Sequence, residues 1–124
     1  MGKLKSPKTP LWALFLLPLL IAASCQSYIV HVTVVNHTGS TVNLLEVDYP
    51  SASFGVDTLP AGAAYQYRVQ LQDSGPIKVI YSAGEKKQFQ STGPTLHEKQ
   101  QGDLEIILDP TGKTEFHPNL TPQS

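Results

Sequence analysis

Cysteine is almost absent: the chain holds one, Cys25. That excludes an intramolecular disulfide framework and any metal site made of clustered thiolates. Tryptophan is as scarce, with Trp12 alone, so the buried tryptophan and paired cysteines of an antibody domain are missing. Basic charge is short where it would matter for nucleic acid. Beyond Lys3, Lys5 and Lys8, six basic residues stand against ten acidic ones, a net of −4. A surface built to neutralise phosphates is therefore excluded. The one marked apolar run, Leu11–Ala23, has thirteen residues broken by Pro18. A membrane-spanning helix needs about 20.

Catalytic signatures are missing too. His31, His37, His97 and His117 form no His-x-His or HExxH pair, so a metal site would need long-range convergence. There is no Gly-x-Ser-x-Gly elbow, Ser-x-x-Lys pair or phosphate-cradling glycine loop. Thr92-Gly93-Pro94-Thr95 reads as a turn, since proline removes an amide that a phosphate cradle would use. Glu46 and Asp48 share a strand face, where like charges two apart disfavour one another. No Asp-rich loop supplies the other oxygens that calcium requires, so they read as a solvated face. The expectation is a protein that is not an enzyme and holds no metal or cofactor.

What is present begins with an address. Met1–Pro10 carries three lysines and no acid, the short apolar run follows, and Ala22-Ala23-Ser24 are small. That order is a secretory signal. With Cys25 directly after it, the segment Ile21-Ala22-Ala23-Ser24-Cys25 resembles the end of a bacterial lipoprotein signal, although Ala22 stands where that class most often has leucine. The resemblance covers about a fifth of the chain and concerns sorting only. It implies cleavage between Ser24 and Cys25, lipidation of the Cys25 thiol and acylation, palmitate included, of the new amino terminus. Ordinary signal cleavage after Ser24 is the alternative. Gln26 is not the aspartate that favours inner-membrane retention in the well-studied sorting systems. The resemblance thus implies a cell-envelope protein, on the periplasmic face of the outer membrane in a Gram-negative source.

The remainder is punctuated for β-structure. Glycines at 75, 84, 93, 102 and 112 recur at nine- or ten-residue intervals, the turn spacing of a sandwich or barrel. The segments between alternate at period two. Tyr28–Val35 places Tyr28, Val30, Val32 and Val34 on one face, and Asn36-His37-Thr38-Gly39-Ser40 reads as a turn. Thr41–Tyr49 slips phase at Leu44-Leu45, which predicts a β-bulge. Ala63–Gln72 sets Tyr65, Tyr67, Val69 and Leu71 inward. Ile77–Ser82, Lys87–Gln90, Asp103–Asp109 and Lys113–His117 follow, the last two joined by a type I turn at Asp109-Pro110-Thr111-Gly112. Seven or eight short strands predict an all-β fold, a single antiparallel two-sheet β-sandwich, immunoglobulin-like or similar. A transthyretin-like or jelly-roll order fits nearly as well.

The domain plan is a signal at 1–24, lipidated Cys25 and a short tether at 25–27, a sandwich at 28–117 and a polar tail at 118–124. Among the aromatics Tyr49, Phe54, Tyr65, Tyr67, Tyr81 and Phe89, a sugar-stacking platform competes with a core role. Parity puts Tyr65 and Tyr67 in the core and leaves Phe54, in the small-residue loop Pro50–Gly55, as the candidate for exposure. Asn36-His37-Thr38 and Asn119-Leu120-Thr121 match the glycosylation pattern by chance. The functional expectation is a lipid-anchored envelope protein serving protein interaction or envelope assembly, with the membrane and an envelope protein as partners and no nucleic acid. A carbohydrate or small-ligand binding module is the alternative.

Overall fold

The computed structural model describes residues 28–84 and 87–122. The signal at 1–24, its cleavage point at Ser24 and Cys25, and the tether at 25–27 lie outside the described residues. Eight strands follow in order: β1 (Val30–Asn36), β2 (Val42–Tyr49), β3 (Ala52–Leu59), β4 (Ala64–Val69), β5 (Gly75–Ala83), β6 (Lys87–Leu96), β7 (Gly102–Leu108) and β8 (Thr114–Leu120). They form two four-stranded sheets, β4-β1-β7-β8 and β3-β2-β5-β6, packed over one core. The fold is the expected β-sandwich.

The immunoglobulin order puts the first two strands in one sheet. Here β1 and β2 lie in opposite sheets, and the order is that of the transthyretin-like alternative. One pairing also departs from the antiparallel expectation. β1 and β7 run parallel, Val32 beside Leu104 and Val34 beside Ile106. Parallel neighbours require a long crossover, and the five intervening strands supply it.

The inward faces are those that alternation marks. Val30, Val32 and Val34 of β1 and Leu104, Ile106 and Leu108 of β7 are buried, as are Val42, Leu45 and Val47 of β2 and Ile77, Val79 and Tyr81 of β5. The predicted bulge is present. Asn43 pairs with Ser82 but Glu46 with Ile80, so β2 carries one extra residue. Leu44 takes it up at φ 52°.

Four expectations are corrected. Residues 52–55, part of the expected small-residue loop Pro50–Gly55, instead open β3 (52–59), an edge strand held by pairing with β2 from Val42–Leu59 to Tyr49–Ala52. The supposed turn at Thr92–Thr95 lies inside β6, and the supposed tail begins inside β8. Pro94 and Pro118 are tolerated because β6 and β8 are both sheet edges, where a missing N–H breaks no ladder bond. Finally, Phe54 is 7% exposed and Tyr67 is 41% exposed, the reverse of the expected placement. Their rings stack at 4.5 Å, with Tyr49 and Tyr65 each 6.2 Å from Phe54. This cluster closes the side of the sandwich where β3 lies over β4. An edge strand has core on only part of its inner face, so Phe54 takes the inside place and Tyr67 covers it.

On the opposite side Gly93 explains itself by packing. A Cβ there would lie 2.7 Å from the Phe116 ring and 2.8 Å from Ile77. The burial difference along β4 is testable by thermal unfolding. Val69→Asp puts an unpaired charge at a 2% exposed site and is expected to unfold the domain. Tyr67→Asp loses mainly the stacked contact, about 0.5–1.5 kcal/mol beyond its buried area, and is expected to leave a folded protein. Equal losses would contradict these positions.

Candidate functional site

β1, β3, β5 and β7 all run toward one end of the sandwich. That end carries the β1–β2 and β3–β4 turns, which cross between the sheets, and the β5–β6 and β7–β8 hairpin connections. The opposite end holds the start of β1 and the end of β8. Gly102 donates to the Ile29 carbonyl at 3.2 Å, and Thr121 donates to that of Gln101 at 2.9 Å. The start of β1 and the stretch just past β8 are thus both tied into this end.

The hairpin end is organised by Asn36, the sole fully buried polar residue among those described. Its Nδ2 donates to the carbonyls of Ser40 at 2.7 Å and Leu59 at 2.9 Å. Its Oδ1 accepts from the Thr38 amide at 3.0 Å and the Thr38 hydroxyl at 2.7 Å. The amide group is thus fully used. The sequence signal was available, because Asn36 continues the inward parity of Val30, Val32 and Val34. Burial of the Asn36 side chain also takes it out of reach of glycosylation.

Beside it lies a cavity of about 190 Å³ lined by Thr38, Ser40, Tyr81, Phe89, Asp109 and Gly112, among others. Tyr81 is 1% exposed, and its ring stacks on Phe89 at 5.2 Å. Its hydroxyl finds no hydrogen-bond partner among the described residues. Burial pushes the phenol pKa up, and the negative charge of Asp109 adds to this. Asp109 shapes the β7–β8 turn. Its Oδ1 accepts from the Thr111 hydroxyl at 2.7 Å, the Thr111 amide at 2.9 Å and the Lys113 amide at 3.0 Å. The Thr111 hydroxyl is the largest cause holding its carboxyl below the ordinary range. Gly112 sits at φ 90°, where the expected left-handed turn residue belongs.

The four histidines are not brought together. His31 lies on the outer face of β1 between Arg68 of β4 and Asp103 of β7 in register. These three line a shallow concavity of about 650 Å³. His117 meets Glu115 at 3.2 Å on β8. His37 is in the β1–β2 turn, and His97 is in the β6–β7 loop. Among the described residues no group of three His, Cys, Asp or Glu is placed to hold a metal ion.

Glu46 and Asp48 do share the outer face of β2. A hydrogen bond that protonated Glu46 donates to the Asp48 carboxylate, then the negative charge of Asp48, raises the Glu46 pKa. Next to them stands Leu44, which sequence reasoning assigned to the bulge without a role. It is 67% exposed and in the left-handed region, which costs a bulky residue on the order of 1–3 kcal/mol.

No family model matches the chain, and no curated protein matches it. A solved structure is similar: the NMR structure of a protein from Eubacterium rectale, at 15% identity and a TM-score of 0.55, covering 76% of this chain and 93% of that one. At that identity the likeness shows the fold alone.

Two outcomes follow at the hairpin end. Asn36→Ala strands two carbonyls and the Thr38 donors, and is expected to cost about 2–4 kcal/mol. Asn36→Asp would aim a carboxylate at the Ser40 and Leu59 carbonyls, and its stability should rise as pH falls, because a proton restores one donor. Asp109 behaves oppositely. Its native pKa is lowered, so its contribution is present above the ordinary value of 3.8 and is lost as pH falls through the native one. Chemical denaturation across the acid range checks both signs, with Asp109→Asn expected to flatten the acid limb. An Asn36→Asp variant as stable as the parent at neutral pH would contradict the hydrogen-bond assignment.

Proposed function

We propose that the chain is a lipid-anchored protein of the cell envelope whose sandwich is a protein-docking module held close to the membrane. The observation that carries this is the direction of β1. The strand starts at Val30, and Ile29 is already tied to Gly102. From Cys25 to Ile29 the chain spans at most about 14 Å at 3.3–3.6 Å per residue. A lipid on Cys25 therefore holds the β1-start end at the headgroups and directs the hairpin end away. Two or three acyl chains make such anchoring firm, since each buried methylene adds about 0.8 kcal/mol. With a net of −4 beyond position 8, attraction to anionic lipid contributes nothing. The partner is accordingly an envelope protein in that membrane or close to it, and nucleic acid is excluded on charge. The identity of Gln26 supports the periplasmic face of the outer membrane where the source has one.

A second reading, a carbohydrate or small-ligand binding module, is favoured by the cavity beside Tyr81, which opens at the same hairpin end.

Palmitate labelling of the parent and of Cys25→Ser tests the anchor. The parent should label and sediment with membranes, and the variant should do neither or accumulate uncut. An unlabelled parent, or a labelled variant, contradicts the anchor. Inserting about fifteen Gly/Ser residues between Ser27 and Tyr28, a flexible coil, should impair function while fold and label persist. Full function with that insertion contradicts the need for closeness.

A further inference from the structure

On the outer face of β2 and β3 a shallow hollow of about 340 Å³ is lined by Leu44, Glu46, Ser53, Gly55 and Asp57 together with the backbone beneath them. It exists because β3 presents no side chain at Gly55. A Cβ there would lie 2.5 Å from the Leu45 carbonyl oxygen, so the floor is obligatory backbone. One wall is Leu44, a large aliphatic side chain left 67% exposed by the bulge. The polar walls are Glu46 and Asp57, both exposed. Neither meets a cation among the described residues, where the sole ion pair is His117 with Glu115. The Cα partners of Glu46 are Gly55 and Ile80, so no basic residue stands directly opposite it, and Lys78, two residues along β5, is the register partner of Asp48.

We propose that this hollow receives an arginine or lysine side chain of the partner protein, its aliphatic stem against Leu44 and its charged head between Glu46 and Asp57. The proposal rests on the reading of the sandwich as a docking module. Long basic side chains are suited to such a place, because they bury an apolar stem while the cation stays at the rim. Charge complementarity of this kind supplies specificity and encounter rate. Asp48 already crowds Glu46 with negative charge, and an arriving cation relieves that crowding. Leu44 and Asp57 sit toward the hairpin end of their strands, on the side that the anchor directs away from the membrane.

The test uses the full chain in detergent micelles with leucine methyl groups labelled for NMR. The probe is the capped tripeptide Gly-Arg-Gly, with Gly-citrulline-Gly as the neutral match. Saturable shifts of the Leu44 methyls are expected with the arginine peptide, at least tenfold weaker with citrulline, and weakened by added salt. The double substitution Glu46→Gln, Asp57→Asn should reduce the affinity at least tenfold in a protein that remains folded. Leu44→Gly, followed through amide shifts of Glu46 and Gly55, should do the same while matching or exceeding the parent in thermal stability, since glycine relieves the left-handed strain. Silent Leu44 methyls, equal binding of the citrulline peptide, or full affinity in either variant overturns the proposal. Palmitate labelling is independent of all these signals. A labelled parent with silent Leu44 methyls removes the hollow alone, and an unlabelled parent with arginine-selective shifts removes the anchor alone.

Discussion

The Asn36 side chain is the fastening on which the hairpin end depends. β1 is a central strand of one sheet, and Asn36 is its last residue. Through Nδ2 it holds Ser40, just before β2, and Leu59, the end of β3, both belonging to the opposite sheet. Its backbone donates to Ala63 at 2.9 Å and accepts from Gly62 at 2.8 Å, fixing the β3–β4 turn. His37 next to it donates to the Leu108 carbonyl at 2.8 Å, fixing β7. The buried side-chain amide thus ties the end of β1 to the β1–β2 turn and to the end of β3, and the backbone of Asn36 and His37 adds the β3–β4 turn and β7, where no disulfide is available to do so. Asparagine alone supplies two donors and two acceptors at this reach. Aspartate lacks the donors, and an aliphatic residue lacks both.

The two ends are consequently different in kind. At the β1-start end the loops are laced to each other by side chains. Ser51 accepts from the Gln72 amide, Ser74 accepts from the Glu98 amide, and Gln100 donates to the Thr121 carbonyl. At the hairpin end the chain is fixed by short turns around Asn36 and Asp109, with open space beside Tyr81. The two sides differ as well. Pro94 and Pro118 keep the β6 and β8 edges from recruiting another strand, whereas β3 and β4 are closed by stacked aromatics. The sandwich therefore offers partners its turns and outer faces more readily than its edges.

Much of this was legible in the sequence, for definite reasons. Strict alternation marked β1 and β7 because both strands have one face on the core along their whole length. The Leu44-Leu45 phase slip marked the bulge, and Asp109-Pro110-Thr111-Gly112 marked its turn, because those signals are local. β3 was hidden because Ala52, Ser53 and Gly55 have low strand preference, and only pairing with β2 makes them extended. Pro94 and Pro118 read as breaks because whether a strand is an edge depends on the whole sheet order. Phe54 and Tyr67 exchanged places for the same reason, edge strands being only partly covered. Asn36 was read only as a turn residue, because its Asn-x-Thr-Gly context is a turn signal, although it also continues the inward parity of Val30, Val32 and Val34. The hollow was invisible, because it needs the Gly55 gap, the outward Leu44 and two carboxylates brought together across a ladder.

If Cys25 carries the lipid, the protein has a fixed sense of direction on the membrane. β5 has nine residues, and at about 3.3 Å per residue the two ends of the sandwich are roughly 30 Å apart. The most direct measurement is electron paramagnetic resonance of the lipidated protein in vesicles, with single nitroxide labels placed at Glu98 in the β6–β7 loop and at Thr111 in the β7–β8 turn. A nickel-chelating headgroup lipid serves as the relaxing agent. The anchored orientation predicts strong relaxation of the label at Glu98 and little at Thr111. Equal relaxation at both positions, or stronger relaxation at Thr111, would contradict a domain held by the start of β1 with its hairpin end turned away from the membrane.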